Sequence, residues 1–176
     1  MNREIKIRGK SVISIEEMND MDMIHDNGWV YGAFVDGYIV NGVNEVTGEY
    51  IAINQWCKVD PETVGQYIGR KDENDDFVYE EDIASVIIQR HIFGFYQETE
   101  YVGIVKYDEK ECVYYLDLLK KPIESGETIP DEIDGISISS EADEELERFY
   151  FNEYIVEEDI RILGNAFENK ELLKND

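Results

Sequence analysis

The sequence is short of cysteine, of positive charge and of long hydrophobic runs, and each shortage excludes something. Two cysteines, Cys57 and Cys112, in 176 residues cannot build a disulfide scaffold, so a reducing cytoplasm is the expected setting. No apolar stretch approaches the ~20 residues of a bilayer crossing, and the opening Met1-Asn2-Arg3-Glu4-Ile5-Lys6 does not read as a signal peptide. Sixteen Lys and Arg stand against 41 Asp and Glu, a formal charge of −25. Phosphates are held by Lys and Arg, so direct binding of nucleic acid is not expected. Heptad runs, internal repeats and Gly/Ser linkers are also missing, which argues against a coiled-coil or fibrous part and for a single domain spanning 1–176.

What is present is a core. Hydrophobic residues make up 43% of the chain and include 12 Tyr and 7 Phe, whereas chains kept disordered by charge are poor in aromatics. Short β segments punctuated by turns fill the first two-thirds. Glu4 to Arg8 alternates polar and apolar side chains. Trp29 to Val35 meets Asp36-Gly37 and resumes as Tyr38-Ile39-Val40, a hairpin signal. Further strands are expected at Tyr50–Ile53, Trp56–Val59, Ile83–Ile88, Val102–Tyr107, Cys112–Leu116 and Ile160–Gly164. Asp60-Pro61 reads as the capped start of one helical turn, and Lys71–Asp76 and Asp108–Glu111 as turns. Residues 120–135 read as loop. Ser140 to Glu147 has a serine cap and a first turn of acids, predicting a helix over 140–151, and Glu168–Lys174 a short terminal helix. The expected fold is mainly β (α+β), a small barrel or strongly bent antiparallel sheet, with an acidic loop and helix inserted at about 120–153.

Four segments resemble the YopX family of phage and prophage proteins: Arg3 to Lys10, Asn27 to Gly32, Val59 to Asn74 running on through Phe77 to Ile83, and Ile162 to Leu173. They follow the family's order, and with Val102 to Leu116 they cover most of the chain. Two glycines usual in the family are replaced, by Asp75 in the 71–76 turn and by Glu81 after Tyr79-Glu80. Positive φ costs any residue but glycine, so these turns are expected to relax or shift. The resemblance implies a compact, mostly β fold of phage or prophage origin and supplies no catalytic residues.

Several residue patterns hint at chemistry, and each fails on spacing or context. A calcium loop at Asp72, Asn74 and Asp76 fails where the motif needs Gly and bidentate Glu, because Phe77 and Ile83 stand there. His25, His91, Cys57 and Cys112 lack zinc spacing, and a Cys–His pair is no more than chance adjacency would give. Pro130-Asp131 with Glu168-Asn169-Lys170 mimics a nuclease signature, but its first half falls in the loop. The aromatics Trp29, Tyr31, Phe34, Tyr67, Phe77 and Tyr79 suit a core better than a binding face. No reaction centre, cofactor or metal is expected.

The charge itself is the least ordinary feature. Residues 124–159 hold 14 acids and one base, and 60–82 hold nine acids and two bases. One reading is a solvated surface that aids solubility. The sharper one is mimicry of nucleic acid toward a host protein with a basic nucleic-acid-binding surface, such as a CRISPR effector. There Glu141, Asp143, Glu144, Glu145 and Glu147 present charge, and Phe149, Tyr150 and Phe151 supply an apolar anchor, since three consecutive aromatics cannot all face inward. The alternatives are a metal-dependent nuclease or other hydrolase, and a structural or virion-associated protein.

Overall fold

A computed structural model describes residues 4–130, 132–138, 146–152, 155–156 and 159–174. The chain divides into two compact units, Met1–Gly69 and Arg70–Asp176. The first is built on β1 (Ile7–Lys10), α1 (Ile15–Asp20), β2 (Trp29–Val35), β3 (Tyr38–Val46), β4 (Ile51–Lys58) and β5 (Gly65–Lys71), which leaves the unit at Gly69. Its strands lie in the order β4-β3-β2-β1-β5, with antiparallel pairs such as Lys10↔Trp29 and Val35↔Tyr38. The β2–β3 hairpin forms as its Asp-Gly pair predicts, with Asp36 and Gly37 at φ 47° and 84°, the double left-handed turn that matches strand twist. Met18, Val30, Ile39, Cys57 and Val59 form the core of this unit. Asp60 caps the 3₁₀ turn Pro61–Thr63 by accepting the Glu62 N–H at 3.1 Å.

The α1 helix carries Met18 into that core and is absent from the sequence reading. Its signal was there. Ser14-Ile15-Glu16-Glu17 is a capping box, in which the Ser14 hydroxyl accepts the Glu17 N–H at 3.2 Å and the Glu17 carboxylate accepts the Ser14 N–H at 3.1 Å.

The second unit holds β6 (Phe77–Tyr79), β7 (Asp82–Ile92), β8 (Phe95–Asp108), β9 (Val113–Leu118), β10 (Ile123–Gly126), β11 (Glu132–Ile133), β12 (Ile136–Ser137), β13 (Arg148–Tyr150) and β14 (Ile160–Asn165). Its main sheet runs β13-β9-β8-β7-β14, with β10 paired to the start of β8. Its strand pairs are antiparallel among the described residues, and the sheet is open at β13 and β14, so the architecture is mainly β and not a closed barrel. Val78, Ile83, Ala84, Val86, Val105, Leu116, Ile155 and Ile160 are buried. Among the described residues no helix is long and apolar enough to cross a membrane.

Several expectations need correction. The helix expected over 140–151 does not reach its end, because Arg148–Tyr150 is strand; residues 139–145 lie outside those described. Aromatic residues on an edge satisfy their backbone against β9 instead of within a helical turn. The expected loop at 120–135 contains β10 and the start of the β11–β12 hairpin, turned by Asp134-Gly135 at φ 51° and 80°. The terminal helix shrinks to a 3₁₀ turn, Lys170–Leu173. Asp75 and Glu81 sit at φ 68° and 66°, so both turns keep the conformation that glycine favours rather than relaxing out of it.

Candidate interaction surface

Of the sequence-predicted contact residues, Glu147, Phe149, Tyr150 and Phe151 lie on or beside β13, at the edge of the second sheet. Pairing sets Arg148↔Asp117, Phe149↔Leu116 and Tyr150↔Tyr115. Side chains alternate along a strand, so the three residues split between faces. Phe149 points inward, its ring stacked on buried Tyr101 with centroids 4.1 Å apart. Arg148 and Tyr150 share the outer face, where Tyr150 is exposed. Phe151 follows, half-buried, its N–H donated to the Tyr114 carbonyl at 3.0 Å. Glu147 is exposed and its carbonyl accepts the Leu118 N–H at 2.9 Å. Glu141, Asp143, Glu144 and Glu145 lie outside the described residues.

Asp108 organises this outer face, and the sequence reading had it only as the first residue of a turn. One carboxylate oxygen accepts the backbone N–H groups of Lys110 and Glu111 at 3.0 and 3.3 Å, closing the β8–β9 turn. The other receives Arg148 Nη1 at 2.9 Å and the Tyr150 hydroxyl at 3.2 Å, fastening β13 to that turn. The Glu111 N–H is the main influence holding the Asp108 carboxyl below the usual range; burial opposes it, and Lys110, Tyr150 and Arg148 assist. The Arg148 guanidinium also lies over the Tyr115 ring, 4.7 Å from its centroid, and Tyr115 and Tyr150 are 5.6 Å apart. No local pattern announces this cluster, because Asp108 and Arg148 are far apart in sequence.

The base–acid pairing across the unit is as informative as the cluster. Lys106 pairs with Glu81 at 2.7 Å, Arg148 with Asp108, Lys71 with Asp75 at 3.1 Å, and Arg161 with Glu73 at 2.5 Å. Glu109, Glu111, Asp117 and Glu147 remain exposed around the β9–β13 edge. The acidic tract at 60–82 is used differently. Asp72 and Asp82 are buried, Asp82 accepting the Tyr79 N–H at 2.8 Å. Asp60 is a cap, while Glu73, Asp75 and Glu81 hold bases. Much of that tract builds turns rather than a free charged face.

The side chains that a metal site, a Cys–His pair or a nuclease centre would need are dispersed. Among the described residues, no three His, Cys, Asp or Glu side chains gather as a metal site would require. Cys57 is buried and Cys112 exposed. His25 Nδ1 accepts the Gly28 N–H at 3.2 Å, and His91 packs on Tyr96. Asp131 is outside the described residues, and Asn169 Oδ1 accepts the Asn165 N–H at 3.0 Å. Of the aromatics assigned to the core, Trp29 and Tyr79 are buried and Phe34 is exposed.

No curated protein and no solved structure matches the chain. The family model described as YopX protein matches residues 28–174, a span that takes in the first unit from Gly28 onward, nearly all of the second, the β8–β9–β13 edge and the Asp72 turn. The chain therefore belongs to the YopX family.

Proposed function

We propose that this chain is a non-enzymatic phage accessory protein that binds and inhibits a basic, nucleic-acid-handling host protein, an anti-defence role of the anti-CRISPR kind. The observation that carries the reading is the charge left over at the β9–β13 edge. Arg148 and Lys106 are held by Asp108 and Glu81, while Glu109, Glu111, Asp117 and Glu147 stay exposed beside Tyr150. Carboxylates displayed on a sheet edge present the negative charge that a cleft rich in Lys and Arg attracts. Such charges speed encounter, and an aromatic residue buried at contact slows release. Within the aromatic triplet this role falls to Tyr150 and Phe151, because Phe149 is already stacked on Tyr101.

The test starts from a tagged copy recovered with its partners from infected or lysogenic cells. Binding to a recovered partner should weaken strongly between about 50 and about 200 mM salt. Neutralising Glu141, Asp143, Glu144, Glu145 and Glu147 together should slow association, and truncating Tyr150 to Ala should speed dissociation. The partner should also lose its DNA or RNA as this protein is added. A partner whose affinity and salt dependence survive neutralisation of the acids would sink the mimicry reading. Cleavage of labelled DNA or RNA in Mg²⁺ or Mn²⁺, lost on a single carboxylate substitution, would replace it with the hydrolase reading.

A further inference from the structure

The inner face of the first unit's sheet runs out beyond its own cover. Along β3 and β4 the inward positions pair as Ile39↔Cys57, Asn41↔Gln55, Val43↔Ile53 and Val46↔Ile51. The first pair is fully buried under Met18 of α1. At the second, the segment after α1 crosses the face and stops: the Gln55 amide clasps the Ile24 backbone, accepting its N–H at 2.8 Å and donating to its carbonyl at 3.0 Å. Beyond that clasp no described residue of this unit lies over the sheet. Val43 is 57% exposed, Val46 67%, Ile51 64% and Ile53 38%. Met21 and Ile24 extend the apolar surface along the rim, also exposed.

We propose that this face is covered by the same face of a second copy, two hairpins packing sheet on sheet about a two-fold axis. Aliphatic faces of two sheets interdigitate at about 10 Å, which makes a patch of Val and Ile complementary to itself. Charge selects the second copy over another partner. In a chain with 41 acidic residues, β4 from Ile51 to Lys58 carries none, and its single charge is Lys58. A basic partner would be drawn to the acidic surfaces, whereas two copies of a −25 protein can approach only where like charge has been removed. The uncharged hairpin face is such a place. An exposed apolar face on a strand pair is otherwise an aggregation liability that sequences blunt with charge, and this one is not blunted.

The experiment is sedimentation equilibrium of the full chain between about 5 and about 200 µM. Runs at about 50 and about 500 mM NaCl bracket the screening of repulsion between copies. The expected result is a species of twice 20.5 kDa, its fraction rising with protein and with salt. V43D or I53D would place a carboxylate in the packed face and should weaken the dimer about 100-fold or more. Both residues are exposed in the single chain, so thermal melts by circular dichroism should be unchanged at low concentration. L163D, at an exposed site in the second unit, should leave the dimer intact. A monomer at the highest concentration in both salts would overturn the proposal. So would a dimer indifferent to V43D and I53D, one equally weakened by L163D, or an assembly larger than two.

Discussion

Removing the Asp72 carboxylate should cost the second unit about 2–3 kcal/mol at neutral pH. Asp72 is 3% exposed, and its oxygens terminate three backbone donors: Asn74 at 2.9 Å, Asp76 at 3.0 Å and Ile162 at 3.3 Å. The first two form the 72–76 turn, and the third belongs to β14 of the sheet. Hydrogen bonds to a charged acceptor contribute about 1.5–3 kcal/mol each when nothing replaces them. Asn74 and Asp76 are exposed, so water substitutes there in Asp72→Ala, whereas Ile162 is partly buried and recovers less. That asymmetry sets the estimate below the sum of three full bonds. Asp72→Asn should cost about 1–2 kcal/mol, since Oδ1 still accepts while Nδ2 opposes the Ile162 N–H. Urea unfolding followed by far-UV circular dichroism reports both units, and the part of the transition that indole fluorescence does not follow belongs to this one. Indole fluorescence follows the first unit, because Trp29 and Trp56 both lie there. The acid limb gives an independent check. Burial raises the Asp72 pKa, but the Asn74, Asp76 and Ile162 N–H groups outweigh it and hold the carboxyl below its ordinary 3.8. The stabilisation is therefore complete above about pH 4.5, where the unfolded carboxyl is ionised, and is lost as pH falls through the lower folded value. The gap between wild type and Asp72→Asn should stay constant from neutral pH to about 4.5 and close below it. A shift under about 0.5 kcal/mol for Asp72→Ala, or a gap that widens in acid, would refute the reasoning.

Glu81→Gly should raise the stability of the second unit by about 0.5–1 kcal/mol, because relief of left-handed strain exceeds the loss of the Lys106 pair. Asp75→Gly should gain less, since Asp tolerates that conformation better than Glu; paired urea midpoints decide the order. Ser14→Ala should destabilise the first unit by about 1 kcal/mol through loss of the capping box, read as an earlier transition in tryptophan fluorescence. Asp108→Ala should release β13, seen as faster amide exchange at Leu118 and Phe151, whose N–H groups bond to Glu147 and Tyr114 across that edge; unchanged exchange there would count against its organising role.

The sequence determined on its own whatever is encoded between neighbours. Alternation and the Asp36-Gly37 pair located β2 and β3, Asp60-Pro61 located its turn, and the run from Asp108 to Glu111 marked the bend between β8 and β9. These are preferences of φ and of side-chain period, settled within a few residues. Even the misses at α1 and at Asp134-Gly135 had local signatures that could have been read. Composition likewise fixed the sign and size of the charge, and four segments fixed the family. Tertiary structure decided the rest. Only pairing with β9 makes Arg148–Tyr150 a strand, and only that register turns Phe149 inward while leaving Tyr150 out. Only packing divides one acidic composition into buried acceptors such as Asp72 and Asp82, paired groups such as Glu73 and Glu81, and the exposed remainder. A carboxylate's role depends on which distant N–H or guanidinium the fold brings to it, and a bond between residues as far apart as Asp72 and Ile162 leaves no trace in either residue's neighbourhood.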